Sequence, residues 1–117
     1  MSEKKLVTFD DYQKFCDETA FFTSSDSIES IPYLTIGLAG EVGELANWVK
    51  KIYRDSNGKP TEDDLNKVKG ELGDSLWYIA MVAKKFNFSL NEVIEYNKQK
   101  LLQRAKNGTL RGSGDNR

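Results

Sequence analysis

The chain has 117 residues, 38% of them apolar and 30% charged, which suits one compact domain and excludes a disordered or fibrous protein. Seventeen Lys and Arg against eighteen Asp and Glu leave a net charge of -1, so no overall field would hold the molecule on nucleic acid or an anionic membrane. The absence of histidine removes imidazole bases, His-ligated zinc and Glu-x-x-His di-iron sites, and the lone Cys16 forms no internal disulfide or multi-thiolate site; carboxylates, amines, amides and hydroxyls are left for any chemistry.

In chain order, Leu6-Val7 is too short for a signal-peptide core, and the expected location is the cytoplasm. Thr8-Phe-Asp-Asp11 then offers a hydroxyl cap and an acid three residues later, opening a helix expected over 8–22 with Cys16 as a small core residue. The run Thr23-Ser-Ser-Asp-Ser27 breaks it. Ser30, followed by Ile31 and Pro32, opens a second helix over 31–54, because proline's missing N–H leaves no bond unmade in a first turn. Leu34, Leu38, Leu45, Val49 and Ile52 form its apolar stripe, and Glu41 sits in that stripe where a core residue belongs. A break at Asp55-Ser-Asn-Gly-Lys-Pro60 precedes Thr61-Glu-Asp-Asp64, which opens a third helix over 61–86. Its segment Leu76–Ala83 is apolar on every side yet too short to span a bilayer, so this helix is expected at the centre and at a subunit interface. Asn87 breaks it, and Ser89-Leu-Asn-Glu92 opens a fourth helix over 89–106, with Phe88 and Val93 as a hydrophobic staple. No strand pattern of useful length appears. The expectation is an all-α, four-helix-bundle-like domain over 1–107, followed by a Gly-rich basic tail over 108–117.

The near-neutral total conceals a split. Lys98, Lys100, Arg104, Lys106, Arg111 and Arg117 face only Asp115 in the last twenty residues, a local +5, which leaves -6 on the first 97. An acidic body with a basic end suits a carboxylate metal site that receives a polyanion.

Within the acidic body, Gly40-Glu-Val-Gly-Glu44 and Gly70-Glu-Leu-Gly-Asp74 repeat one pattern. On a helix each acid pair stands at i, i+3 and shares a face. Glu44 with Glu71, and Glu41 with Asp74, are both symmetric about position 57.5, inside the turn signal Asn57-Gly58. A central antiparallel helical hairpin would therefore set the two pairs side by side. Each helical glycine costs about 0.8–1 kcal/mol relative to Ala, so Gly37, Gly40, Gly43, Gly70 and Gly73 are expected to permit close approach of the two backbones or of a bulky ligand. Gathered carboxylates repel unless a cation neutralises them, and oxygen-only ligands favour a hard ion, Mg²⁺ first with Mn²⁺ or Ca²⁺ behind it.

These residues resemble the MazG-like nucleoside triphosphate pyrophosphohydrolases of the all-α NTP pyrophosphatase superfamily, whose hallmark is E-x-x-E followed by E-x-x-D. Gly37-Leu-Ala-Gly-Glu-Val-Gly-Glu-Leu45 and Glu71-Leu-Gly-Asp-Ser-Leu-Trp-Tyr78 look like the two core motifs, and Asn97, Lys100, Leu101, Arg104 and Gly108–Arg117 are similar to the C-terminal pattern of one branch. The resemblance implies Mg²⁺-dependent cleavage of (deoxy)nucleoside triphosphates between the α and β phosphates, metal ligation by Glu41, Glu44, Glu71 and Asp74, and a homodimer or dimer of dimers. Glu41 or Glu44 is the expected water-activating carboxylate. Asn97, Lys100 and Arg104, on nearby turns of the fourth helix, and Arg111 in the tail are candidate phosphate contacts. The alternatives are a core amide at Asn97, a helix-end cation at Arg104 and a flexible tail. Trp48 and Tyr78, each one turn beyond an acid pair, are candidate base-stacking residues, whereas Trp77 and Tyr33 read as core. Two other functions fit the same acids: hydrolysis of phosphoribosyl-ATP, and a non-catalytic metal-stabilised adaptor.

Overall fold

The computed structural model describes residues 5–20 and 30–115. The expected helices form as α1 (Phe9–Glu18), α2 (Ser30–Ser56), α3 (Glu62–Lys85) and α4 (Leu90–Lys106), with no strand among the described residues. Three of the four begin with a capping box. The hydroxyls of Thr8, Thr61 and Ser89 accept from the amides of Asp11, Asp64 and Glu92 at 3.0, 3.1 and 3.0 Å, and those three acids accept in return from the cap amides. Each box satisfies two amides that a first turn otherwise leaves without partners.

The helix ends are equally local in origin. Asn57 and Gly58 turn α2 into α3 with φ of 52° and 78°. At the end of α3, Asn87 takes φ 64°, while the Phe88 amide reaches back to the Ala83 carbonyl at 2.8 Å and the Asn87 amide to Lys84 at 2.9 Å. α4 closes the same way, with Gly108 at φ 70° and the Thr109 amide on the Arg104 carbonyl at 2.8 Å. These are Schellman closures, which need a left-handed residue and so select Asn or Gly. α1 stops at Glu18, short of the expected 22, because the Thr19 amide and hydroxyl both donate to the Cys16 carbonyl, at 3.0 and 2.7 Å. Residues 21–22 and the expected break at 23–27 lie outside the described residues.

α3 is the central helix: α2 packs along it, and α1 and α4 pack on it and on each other. Cys16, Leu34, Ala80, Met81 and Leu90 form the buried core, one or two from each helix, flanked by Tyr12, Trp77, Tyr78, Val82 and Ile94. Burial raises the titration of the Tyr12 hydroxyl, with a hydrogen bond to Cys16 adding to it. Gln13 ties α1 into place. Its amide donates to the carbonyls of Ala80 (3.1 Å) and Phe88 (3.0 Å) and accepts from the Leu90 amide (3.0 Å).

Two expectations need correction. Val49, placed in the core stripe of α2, is 40% exposed; α2 meets only α3 along its length, and Val49 lies on the flank beyond that contact. The glycines do not admit a neighbouring backbone within the chain. A Cβ added at Gly40, Gly43, Gly70 or Gly73 would meet nothing within 4 Å, and only at Gly37 would it collide, with the ring of Tyr78.

The hairpin of α2 and α3 has two unlike sides. At 100° per residue, Val42, Val49 and Tyr53 of α2 fall on the same side as Leu65, Leu72, Leu76 and Ile79 of α3, all of them exposed, and the acid pairs fall on the other.

Candidate active site

The acids stand where α2 and α3 face one another. Glu41 is half-buried in the α2 stripe, Glu71 is half-buried on α3, and Asp74 lies one turn further along, more exposed. One carboxylate oxygen from each of Glu41, Glu71 and Asp74 can be chosen so that all lie within 4.8 Å of one another. Glu44, the fourth acid of the pattern, is exposed one turn along from Glu41 and stays outside this trio. The expected symmetry about the turn thus brings three of the four acids together.

The trio is electrostatically uncomfortable. A hydrogen bond with Glu71, then burial, then the negative charges of Asp74, Glu71 and Glu44 push the Glu41 carboxyl up to about 7. Oε2 of Glu71 is buried and accepts no hydrogen bond. No lysine or arginine forms an ion pair with Glu41, Glu71 or Asp74 among the described residues. Oxygen-only donors, an orphaned buried oxygen and uncompensated charge are the environment a hard divalent cation relieves, so the residues fit such an ion.

Beside the trio a cleft of about 340 Å³ is lined by Thr19, Glu41, Asp74, Trp77 and Tyr78. Trp77 and Tyr78 meet edge to face, with centroids 5.0 Å apart and planes at 83°, and the indole N–H of Trp77 donates to the Thr19 hydroxyl at 2.7 Å. Gly37 is what admits the Tyr78 ring against α2. Burial raises the Tyr78 hydroxyl's titration, with Tyr33, Glu41 and Asp74 contributing. The cleft therefore joins carboxylates to aromatic walls.

The structure distributes the other expected residues differently. Trp48 does not line the cleft; its ring lies under the ammonium groups of Lys67 and Lys51, 4.3 and 4.6 Å from the centroid. Tyr33, read as core, is exposed. Trp77, also read as core, does flank the core and is a wall of the cleft as well. Asn97 is exposed rather than a core amide, because Val93 and Leu101 of its stripe are themselves open. Arg104 is buried at the end of α4 against Asp115, Lys100 faces the same carboxylate, and Arg111 is exposed; none of these lines the acidic cleft. Thr19 and Asp115 were not singled out in the sequence. Thr19 had a faint signal as a hydroxyl at a helix end, and Asp115 as the lone acid of a basic tail.

The fold is thus an all-α bundle that gathers a carboxylate trio at its central antiparallel hairpin. The chain belongs to the MazG nucleotide pyrophosphohydrolase family, whose domain it matches over residues 29–109, both acid pairs included. It is also 43% identical over 111 residues to the Gene 37 protein of Mycobacterium phage L5, covering 92% of this chain and 97% of that protein. No solved structure matches the chain. No helix among the described residues is long and apolar enough to cross a membrane.

Proposed function

We propose that this protein is a Mg²⁺-dependent pyrophosphohydrolase that cleaves (deoxy)nucleoside triphosphates between the α and β phosphates, clearing unwanted or excess nucleotides from the pool. The observation that carries the reading is the trio Glu41, Glu71 and Asp74, uncompensated by any lysine or arginine among the described residues and opening on an aromatic-walled cleft. Those three carboxylates would hold Mg²⁺, and Mn²⁺ in its place. Bound there, the ion supplies neutralisation of the acids and of the incoming triphosphate's negative charge.

The chain's own residues supply the rest. Trp77 and Tyr78 offer ring surfaces for a base, whereas Trp48 would serve only a ligand reaching past its two lysines. Glu44, outside the trio, is the carboxylate left free to orient and deprotonate the attacking water. The water's oxygen bonds to the α phosphorus as the bond to the bridging oxygen breaks; the water's proton passes to Glu44, and the leaving pyrophosphate takes the electron pair. Asn97, Lys100, Arg104 and Arg111 are the groups available to meet phosphate oxygens; none lines the acidic cleft of its own chain, and a second copy of the chain would be a source of them there.

Self-association has its own support. The apolar side of the α2–α3 hairpin, from Val42 to Ile79, is a surface that a homodimer would cover.

Incubating the purified protein with each standard dNTP and several modified ones in Mg²⁺, while following pyrophosphate and orthophosphate separately, tests the reading. Pyrophosphate with monophosphate is the expected result. Orthophosphate with diphosphate refutes α–β cleavage, turnover of phosphoribosyl-ATP alone moves the enzyme to that substrate, and release from nothing favours the adaptor.

A further inference from the structure

Thr19 caps the C-terminus of α1, and its hydroxyl works in two directions. Its single proton goes to the Cys16 carbonyl at 2.7 Å, and its oxygen accepts the Trp77 indole N–H, also at 2.7 Å. An indole N–H only donates, so with the hydroxyl proton already placed the pair has one workable polarity. Cys16 is fully buried in the core, which makes it a fixed point for the bonds that follow.

From that point a row of contacts crosses three helices. Thr19 of α1 holds the edge of Trp77, Trp77 and Tyr78 of α3 meet edge to face, and Tyr78 fills the space over Gly37 of α2. Thr19, Trp77 and Tyr78 all line the acidic cleft. The Tyr78 end of the row is held by close packing, whereas the Trp77 end is tied by a hydrogen bond. Without the Thr19 hydroxyl the half-buried indole N–H loses this partner, and the ring is released toward its other rotamers.

The docking of α1 rests on other bonds as well. Gln13 bonds to α3 and to the first residue of α4, Asp17 pairs with Lys84, and the Asn91 amide donates to Asp10. What the Thr19 hydroxyl adds is the direction in which the indole faces the cleft. A flat base stacks well only on a ring held at a fitting angle, and a ring fixed beforehand has less freedom to lose on binding.

We propose that Thr19 is a positioning residue: its hydroxyl, anchored on the Cys16 carbonyl, holds Trp77 as a preformed stacking wall and makes the end of α1 a determinant of base binding. This rests on the nucleotide pyrophosphohydrolase reading for the identity of the ligand and leaves the work of the acids as it stands.

The test is calorimetric titration of the full-length protein in Mg²⁺ with two ligands. One is the tightest-binding of the four α,β-methylene deoxynucleoside triphosphates, which resist cleavage; the other is the same deoxyribose analogue with hydrogen in place of the base. Thr19→Val, which removes the hydroxyl at nearly constant shape, should bind the base-bearing analogue about fivefold more weakly and leave the abasic one unchanged. Thr19→Ser should restore the wild-type affinity. In Trp77→Phe, which has no N–H to hold, adding Thr19→Val should cost nothing further. Thr19→Ala takes the place of the Val variant if that protein has lost its helical circular-dichroism signal. Undiminished affinity without the hydroxyl overturns the proposal, as does an equal loss for both ligands, a loss that persists in the Trp77→Phe background, or a wild type that binds the base-bearing analogue no better than the abasic one. Turnover that stays intact beside such a result leaves the pyrophosphohydrolase reading standing. A wild type that hydrolyses nothing sinks that reading, while the binding comparison still decides the role of Thr19.

Discussion

The two charged regions of this molecule are built on opposite rules. The acids at the α2–α3 contact have no lysine or arginine partner among the described residues, and their mutual repulsion is expressed in the raised Glu41 carboxyl. The cations at the end of α4 carry their own anion, Asp115, folded back from the tail. A region left uncompensated must recruit its counter-ion from solution, whereas a self-compensated one binds an outside ion only by exchange. The contrast separates a region of unbalanced negative charge from one that is already closed.

The most damaging way to test that contrast is to neutralise the trio. Glu41→Gln or Asp74→Asn should lower pyrophosphate release by about a thousandfold or more, the scale of losing a metal's contribution to charge stabilisation and water activation. Mn²⁺ binding measured by calorimetry should be lost with it. Unimpaired turnover in either variant would remove the acids from the chemistry. Glu44→Gln should be milder, lowering kcat about a hundredfold while Mn²⁺ affinity stays near the wild type's, as expected of a proton acceptor outside the trio. A loss of Mn²⁺ affinity there would make Glu44 a ligand instead.

Gly37→Ala asks how far the acid side depends on its aromatic wall. The new methyl group collides with the Tyr78 ring, so unfolding in urea should show a loss of about 1–3 kcal/mol, with weaker substrate binding alongside. The smallest expected effect is on pH dependence. In the metal-free protein the folded-state pKa of Glu41, about 7, lies above its unfolded value of 4.5. The folded state therefore binds more protons between those values, and stability falls as pH rises from about 5 to 8. The thermal midpoint in EDTA should drop over that window, and Glu41→Gln should flatten the drop. A midpoint that rises instead would mean that the trio is not repulsive.

What could be read from the sequence divides along the range of the interactions. The capping boxes at Thr8, Thr61 and Ser89 and the turns at Asn57 and Asn87 were legible because each joins residues three to six apart, where helix geometry leaves little choice. The acid pairs were legible for the same reason, and the hairpin followed from their symmetry about its turn. Which three acids converge was not, because that depends on side-chain direction across two helices. Nor was the Trp77–Thr19 bond, which spans 58 residues, or the placing of the phosphate candidates away from the acids. Val49 shows a related limit. Periodicity finds an apolar stripe, but only the packing partner decides how wide a stripe is covered.

The bonding of Gln13 has a consequence for the timing of motions. At ten residues α1 is too short to persist as a helix by itself, and one amide side chain makes three of its hydrogen bonds, to α3, the α3–α4 turn and the first residue of α4. It is therefore the element expected to detach first in local unfolding, while α3, which packs against all three other helices, stays folded. Thr19, at the end of α1, is also a wall of the acidic cleft, so the same detachment unroofs the cleft laterally. Amide exchange in α1 should run ahead of exchange in α3 and accelerate further in Gln13→Ala, making the opening of the cleft a sub-global fluctuation rather than the swing of a loop.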